Sequence, residues 1–267
     1  MSLIPASVKS LVLDMDGVLW TGDQPIGDLS NLFGTLSRRG LKVCLATNNS
    51  SRTPEEYLER LRSFGVKGLE SWQIVTSAHA LANEIGKRLP LGGKVYVIGE
   101  AGLRQSLTLS GFTVVDEENF GDSQEIVAVA VGLDRNLSFA KLCRATLLIR
   151  QGLPFYGTNP DHTLPTPDGL IPGVGALLAL LSTASEVVPI VVGKPAPFML
   201  NMACERLGTS PMETLVVGDR LETDIAGGQA AGCPVGVVLS GVSTRSMAEA
   251  WKPTPDIIAP DLATLIG

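Results

Sequence analysis

The apolar run Leu11-Val12-Leu13 stops at two aspartates one residue apart, and a glycine follows them: Asp14-Met15-Asp16-Gly17. A run of this composition reads as a buried strand. Side chains alternate along a strand, so Asp14 and Asp16 project the same way if extended geometry persists. Two carboxylates held close in an apolar setting repel each other unless a cation joins them or one keeps its proton. Three readings are open at this point: a magnesium ligand set, a nucleophile beside a proton donor, or a strand followed by a solvated acidic turn.

The same kind of ending recurs along the chain. Residues 41–46 are apolar apart from Lys42 and stop at Thr47-Asn48-Asn49-Ser50-Ser51. Residues 187–192 stop at Gly193-Lys194-Pro195, and 214–217 at Gly218-Asp219. Helical spacing fills the intervals. Leu29, Leu32, Phe33 and Leu36 share one face of 28–39, and Leu58, Leu61 and Phe64 one face of a helix opened by Thr53-Pro54-Glu55-Glu56. Two more helices are predicted over 197–207 and 222–231, a fifth strand over 235–239, and a last β/α pair over 256–266. Apolar strands separated by helices predict an α/β fold, Rossmann-like and doubly wound, with a mainly parallel sheet. In such sheets ligands bind outside the carboxyl ends of the strands. The four endings are therefore expected on one rim.

The middle third has its own β/α rhythm, with strand patterns over 74–77, 94–98, 112–115, 126–131 and 154–157. Helical patterns fall over 78–89, 100–110, 138–150 and 175–181. This predicts a second, smaller α/β domain inserted in the first. The expected division is 1–77 plus 186–267 for the core and 78–185 for the insertion.

The contents of the rim suggest a chemistry. Asp14, Asp16 and Asp219 are hard oxygen donors of the kind that suits Mg²⁺ together with a substrate phosphate. Thr47 and the amides after it, entering a helix start, suit phosphate oxygens. Lys194 is a compact positive charge able to neutralise a phosphoryl group and a carboxylate nucleophile. Asp224, five residues after Asp219, falls in the first turn of a predicted helix, where it can orient a metal shell. Taken singly, Lys194 reads as a surface lysine, Asp224 as a helix-start charge and Thr47-Asn48 as a capping loop. Only their shared position at strand ends raises the functional reading above these.

Composition removes other classes. The 267 residues carry 18% charged side chains and a net charge of −6, with no block of lysine or arginine, so the basic footprint of nucleic-acid binding is missing. Cys44, Cys143, Cys204 and Cys233 are far apart, and His79 and His162 are the only histidines, which argues against a zinc site or a disulfide scaffold. Hydrophobic residues make up 45% and the mean hydropathy is +0.25, yet no apolar run approaches membrane-spanning length. The N-terminus has no charged leader ahead of an apolar stretch, and a cleaved signal would remove the aspartates; a cytoplasmic protein without a membrane partner is expected. The sequence has no G-x-x-x-x-G-K-[ST], no convincing G-x-G-x-x-G and no G-x-S-x-G.

These motifs resemble those of the haloacid dehalogenase (HAD) superfamily. Within it they are most similar to the phosphatases with a large α/β cap of type IIA, the NagD-like and para-nitrophenylphosphatase-like group. Asp14-Met15-Asp16-Gly17-Val18-Leu19-Trp20 resembles the first family motif, and Ala46-Thr47-Asn48-Asn49-Ser50 the second. Val192-Gly193-Lys194-Pro195 resembles the third, and Gly218-Asp219-Arg220-Leu221-Glu222-Thr223-Asp224-Ile225 the fourth. In the cap, Thr158-Asn159-Pro160-Asp161 and Pro172-Gly173-Val174-Gly175-Ala176 also fit. The likeness runs from about Val8 to the C-terminus.

The resemblance implies a Mg²⁺-dependent phosphomonoesterase acting on a small phosphorylated metabolite, such as a nucleotide monophosphate or a sugar phosphate. Asp14 would form an aspartyl-phosphate, and Asp16 would protonate the leaving oxygen and then activate water. A neighbouring carboxylate and partial burial would keep that proton on Asp16. The Asp14 side chain, the Asp16 main-chain carbonyl and Asp219 would hold the metal, with Asp224 behind them. Thr47, Asn48 and Lys194 would bind the phosphoryl group, and Asn159, Asp161 and His162 would belong to a substrate-facing stretch of the cap; His162 reads more as a polar loop residue than as a catalyst. Self-association is a further implication of the family. A phosphotransferase and a catalytically silent phosphate-ligand binder are the alternatives. A dehalogenase would not need the second acid, Asp16.

Overall fold

The computed structural model describes residues 2–117, 125–166 and 168–267. The chain separates into two compact units, one of Met1–Thr47, Pro54–Val75 and Lys194–Gly267, the other of Asn48–Thr53 and Thr76–Gly193.

The first unit is built on a six-stranded sheet. Its strands lie in the order Ile257–Ala259, Val235–Val238, Thr214–Gly218, Ser10–Leu13, Lys42–Thr47, Ile74–Thr76. Ser10–Leu13 pairs in parallel with Thr214–Gly218 on one side and Lys42–Thr47 on the other, Leu13 lying opposite both Val217 and Leu45. The next two pairings, out to Ile257–Ala259, are also parallel. Strand order reverses between Ser10–Leu13 and Thr214–Gly218, which is a topological switch point, where doubly wound sheets open a crevice for ligands.

Burial on both faces explains the unbroken apolar runs. Leu11, Leu13 and Leu45 cluster with Leu29, Leu32, Phe33 and Leu36, while Val12 and Cys44, which alternation turns to the other face, are equally buried. Each such leucine contributes about 2 kcal/mol by leaving water. The helix Leu29–Arg38 has the predicted face, and Asp28 caps it by accepting the Asn31 N–H at 3.0 Å.

The second unit has a five-stranded sheet in the order Ile190–Val191, Phe155–Gly157, Ile126–Val131, Lys94–Ile98, Thr113–Val115, all paired in parallel. Tyr96, Ile98, Val129, Val131, Leu148, Ile149, Phe155, Leu178 and Leu181 form its core. The segment 48–53 is tied into this unit: Ser77 Oγ and Asn159 Nδ2 donate to the Asn48 carbonyl at 2.6 and 2.7 Å, and the Gly102 N–H donates to the Ser51 carbonyl at 3.1 Å.

Three expectations need correction. The strand expected over 187–192 in the core sheet is shorter, Ile190–Val191, and adds to the edge of the second sheet beside Tyr156 and Gly157. A short Ile-Val run carries no information about which sheet will take it. Lys194 is accordingly not at a strand end of the first sheet. The helix expected over 222–231 begins as a π-turn, Leu221–Ile225, and becomes α-helical only over Ala226–Ala230. Beyond these, the structure adds two antiparallel hairpins: Trp20–Thr21 with Gln24–Pro25, and Thr163–Thr166 with Gly169–Pro172.

Candidate active site

Three neighbouring strands of the first sheet deliver the site. Asp14 follows Leu13, and its N–H donates to the Val217 carbonyl at 2.8 Å, which keeps it in register past the end of the strand. Asp219 follows the Thr214–Gly218 strand, and Thr47, buried, is the last residue of Lys42–Thr47. Lys194 arrives from outside the sheet. Its Nζ lies 2.6 Å from Asp14 Oδ1, 2.6 Å from Asp224 Oδ1 and 2.9 Å from the Ala46 carbonyl. A lysine that is 2% exposed needs such partners, and these three use its three donors.

Asp224 is placed by the π-turn. Its Oδ2 accepts the Arg220 N–H at 3.1 Å while Oδ1 takes the lysine, and the residue is buried. Asp219 is fixed by the loop Ser240–Ser243, which carries no charged side chain. The Val242 N–H donates to Asp219 Oδ2 at 2.8 Å, the Ser243 N–H to its carbonyl at 3.1 Å, and Ser240 Oγ to the Gly17 carbonyl at 2.7 Å. Gly17, at φ +82°, and Gly241 both leave room that a Cβ would take from the Asp219 carboxylate. One signal could have found this loop: the run 235–239 also ends in polar small residues, Ser240-Gly241, on the same rim.

Oxygens of Asp14, Asp219 and Asp224 lie within 4.8 Å of one another. Three carboxylates around one ammonium are short of positive charge. Burial pushes the Asp14 carboxyl well above its ordinary range; Lys194 opposes the shift, and Asp224 and Asp219 add to it. Burial, reinforced by Asp224, raises Asp219 to about 6. Burial works against the Lys194 charge, but Asp14 and Asp224 more than offset it, and the lysine is held above its usual range. Asp219 Oδ1 is buried without a hydrogen-bond partner. An orphaned carboxylate oxygen among hard donors with surplus negative charge fits a divalent cation such as Mg²⁺.

Asp16 differs from its expected setting. It is exposed rather than partly buried, and its carboxylate is outside the group of three. It continues past a strand end into a turn, so alternation no longer holds it beside Asp14. Its Oδ1 instead accepts the Trp20 indole N–H at 2.9 Å.

The remaining expected residues belong to the second unit. Asn48 Nδ2 donates to Asp161 Oδ1 and Oδ2 at 3.3 and 3.4 Å, and the Asp161 N–H donates to Asn159 Oδ1 at 3.1 Å. Asn159 is buried; His162 is exposed, with its carbonyl accepting the Gly173 N–H at 2.8 Å. Asn48, Asn159 and Asp161 are thus one hydrogen-bonded group, and His162 stands outside it.

Comparison with known proteins decides the family. Residues 11–113 match the model of haloacid dehalogenase-like hydrolases, and residues 191–265 match a second, HAD-hydrolase-like model. The 5'-nucleotidase YutF of Bacillus subtilis is 37% identical over 237 residues, 89% of each chain. The chain belongs to the haloacid dehalogenase-like hydrolase family. Among solved members, a p-nitrophenyl phosphatase from Archaeoglobus fulgidus superposes with a TM-score of 0.88 at 32% identity, covering 97% of this chain and 98% of that one. The glycerol phosphate phosphatase Rv1692 of Mycobacterium tuberculosis, in complex with magnesium, gives a TM-score of 0.87 at 34% identity, covering 97% of this chain and 76% of its own. The α/β architecture expected from the HAD resemblance is therefore the one observed. Among the described residues, no helix of this HAD-family chain is long and apolar enough to cross a membrane.

Proposed function

We propose that this chain is a Mg²⁺-dependent phosphomonoesterase that hydrolyses a small phosphorylated metabolite through an aspartyl-phosphate on Asp14. The observation that carries this reading is the Lys194 bridge between Asp14 and Asp224, with the unpartnered Asp219 Oδ1 in the same group. The Asp14 and Asp219 carboxylates and the Asp16 main-chain carbonyl would hold the ion, and Asp224 would act through Lys194. When bound, the ion supplies positive charge that offsets the phosphoryl oxygens and the nucleophile.

The chain's own groups then divide the work. A carboxylate oxygen of Asp14 attacks phosphorus while the ester P–O bond breaks, and Asp16 gives its proton to the departing oxygen. Water next attacks the aspartyl-phosphate, the P–O bond to Asp14 breaks, and Asp16 takes the proton from that water. Lys194 opposes the upward push of burial on Asp14, favouring the ionised nucleophile, and holds it in place, and Thr47 with the amides that follow it accommodates the phosphoryl oxygens.

Relatives named for nucleotide, p-nitrophenyl phosphate and glycerol phosphate substrates support a phosphomonoester without choosing among them. Release of inorganic phosphate from a panel of phosphorylated metabolites, compared by kcat/KM with and without Mg²⁺, tests the reading. No turnover of any monoester with Mg²⁺ present would refute it.

A further inference from the structure

Trp20 has no part in the reaction as written, yet the structure invests heavily in fixing it. The residue is fully buried, with its ring stacked on Tyr57 at 6.4 Å between centroids and tilted against Phe64 at 6.1 Å. The Arg60 guanidinium lies over the same ring at 4.3 Å, and Arg60 also bonds the Gly22 carbonyl and pairs with Asp23 at 3.7 Å. Backbone bonds close the loop: the Gly17 N–H donates to the Trp20 carbonyl at 2.7 Å, and the Trp20 N–H to the Met15 carbonyl at 3.3 Å. From this rigid mount a single polar atom, Nε1, reaches Asp16 Oδ1 at 2.9 Å.

An indole N–H can donate and cannot accept. Oδ1 therefore presents a lone pair to it, and because a carbonyl oxygen accepts better than a hydroxyl oxygen, the contact favours Oδ2 as the oxygen that carries a proton. The described residues provide no hydrogen bond to Oδ2. An exposed aspartate would otherwise swing about its side-chain bonds and offer either oxygen. We propose that Trp20 is a positioning residue for Asp16: its N–H pins Oδ1, so that Oδ2 is the oxygen that gives the proton to the leaving group and takes it back from water. Arg60, Tyr57 and Phe64 hold the ring that does so. The inference rests on the reading of Asp16 as acid and base.

The test separates the two. kcat/KM reports the first half-reaction, in which p-nitrophenolate leaves without help from an acid and an alkoxide does not. Trp20→Phe keeps an aromatic ring and removes the N–H. It should lower kcat/KM about tenfold or more for an alkyl phosphate that the wild type hydrolyses, and by less than about threefold for p-nitrophenyl phosphate. On an Asp16→Asn background the same change should add nothing. Equal losses on both substrates, no loss on either, or a further loss on top of Asp16→Asn would overturn the role of Trp20. Wild-type alkyl phosphate turnover in Asp16→Asn alone would instead remove Asp16 from the mechanism. Should melting show Trp20→Phe to be unfolded, Trp20→Met, which fills part of the space and has no donor, carries the same comparison.

Discussion

Lys194 Nζ sits 2.6 Å from Asp14 Oδ1 although 180 positions separate the two residues in the chain. The same nitrogen is 2.6 Å from Asp224 Oδ1, so one buried ammonium holds two carboxylates. Losing one partner of a buried ion pair leaves an uncompensated charge and costs about 3–5 kcal/mol. Lys194→Met should melt at a lower temperature than the wild type and lose at least about a hundredfold in kcat, since the phosphoryl charge also loses its counterion. Thermal melting alongside p-nitrophenyl phosphate turnover checks both.

Removing the metal should be as severe as removing the nucleophile. Turnover of p-nitrophenyl phosphate is expected to fall to background in chelator and to return on adding Mg²⁺. Asp14→Asn should stay at background at any Mg²⁺ concentration, because the amide cannot form the acyl-phosphate. Persistent turnover in that variant would reassign the nucleophile.

Gly241 gives a test that touches no reactive group. A Cβ there would overlap the Asp219 carboxylate held by the Val242 N–H. Gly241→Ala is expected to displace that carboxylate and raise the Mg²⁺ concentration for half-maximal activity about tenfold or more, with the fold retained. A Mg²⁺ titration of the rate, paired with a circular dichroism spectrum, reads the outcome.

The buried carboxylates also make stability depend on pH in a defined direction. Asp219 is raised from 3.8 to about 6, burial being the first cause and Asp224 the second. A carboxyl that prefers its proton when folded stabilises the fold at low pH, and this contribution is lost as pH rises through the folded value. Metal-free protein should therefore melt at a lower temperature at about pH 7 than at about pH 5. Mg²⁺, which binds the ionised form, should raise Tm more at the higher pH. Asp219→Asn should weaken both trends, which a melting series with and without chelator would reveal.

Much of the core was legible because its elements are local. Leu29, Leu32, Phe33 and Leu36 recur at helical spacing, and the helix Leu29–Arg38 buries those four. The strands Lys94–Ile98 and Ile126–Val131 appear where the apolar runs placed them. Asp14, Thr47 and Asp219 were readable for a related reason: in a parallel sheet each strand's carboxyl end falls on the same rim, so position along the chain translates into position in space. The Ser240–Ser243 loop obeyed the same logic and escaped notice because its side chains are small and uncharged. Asp16 departs from the side-by-side placement with Asp14 because alternation ends with the strand, and the residue lies in the turn that follows.

The chain's residue order alone determined the alternating strands and helices, the family motifs, and which acids and which lysine were candidates for the site. Those properties follow from short-range spacing and from the cost of burying or exposing each side chain. Tertiary structure decided that Ile190–Val191 joins the second sheet, that Asp224 enters on a π-turn to share Lys194, and that Trp20 grips Asp16. Each of these depends on partners far away in sequence or on the exit angle of a turn. Such relationships exist only once the sheet has set the register between distant segments.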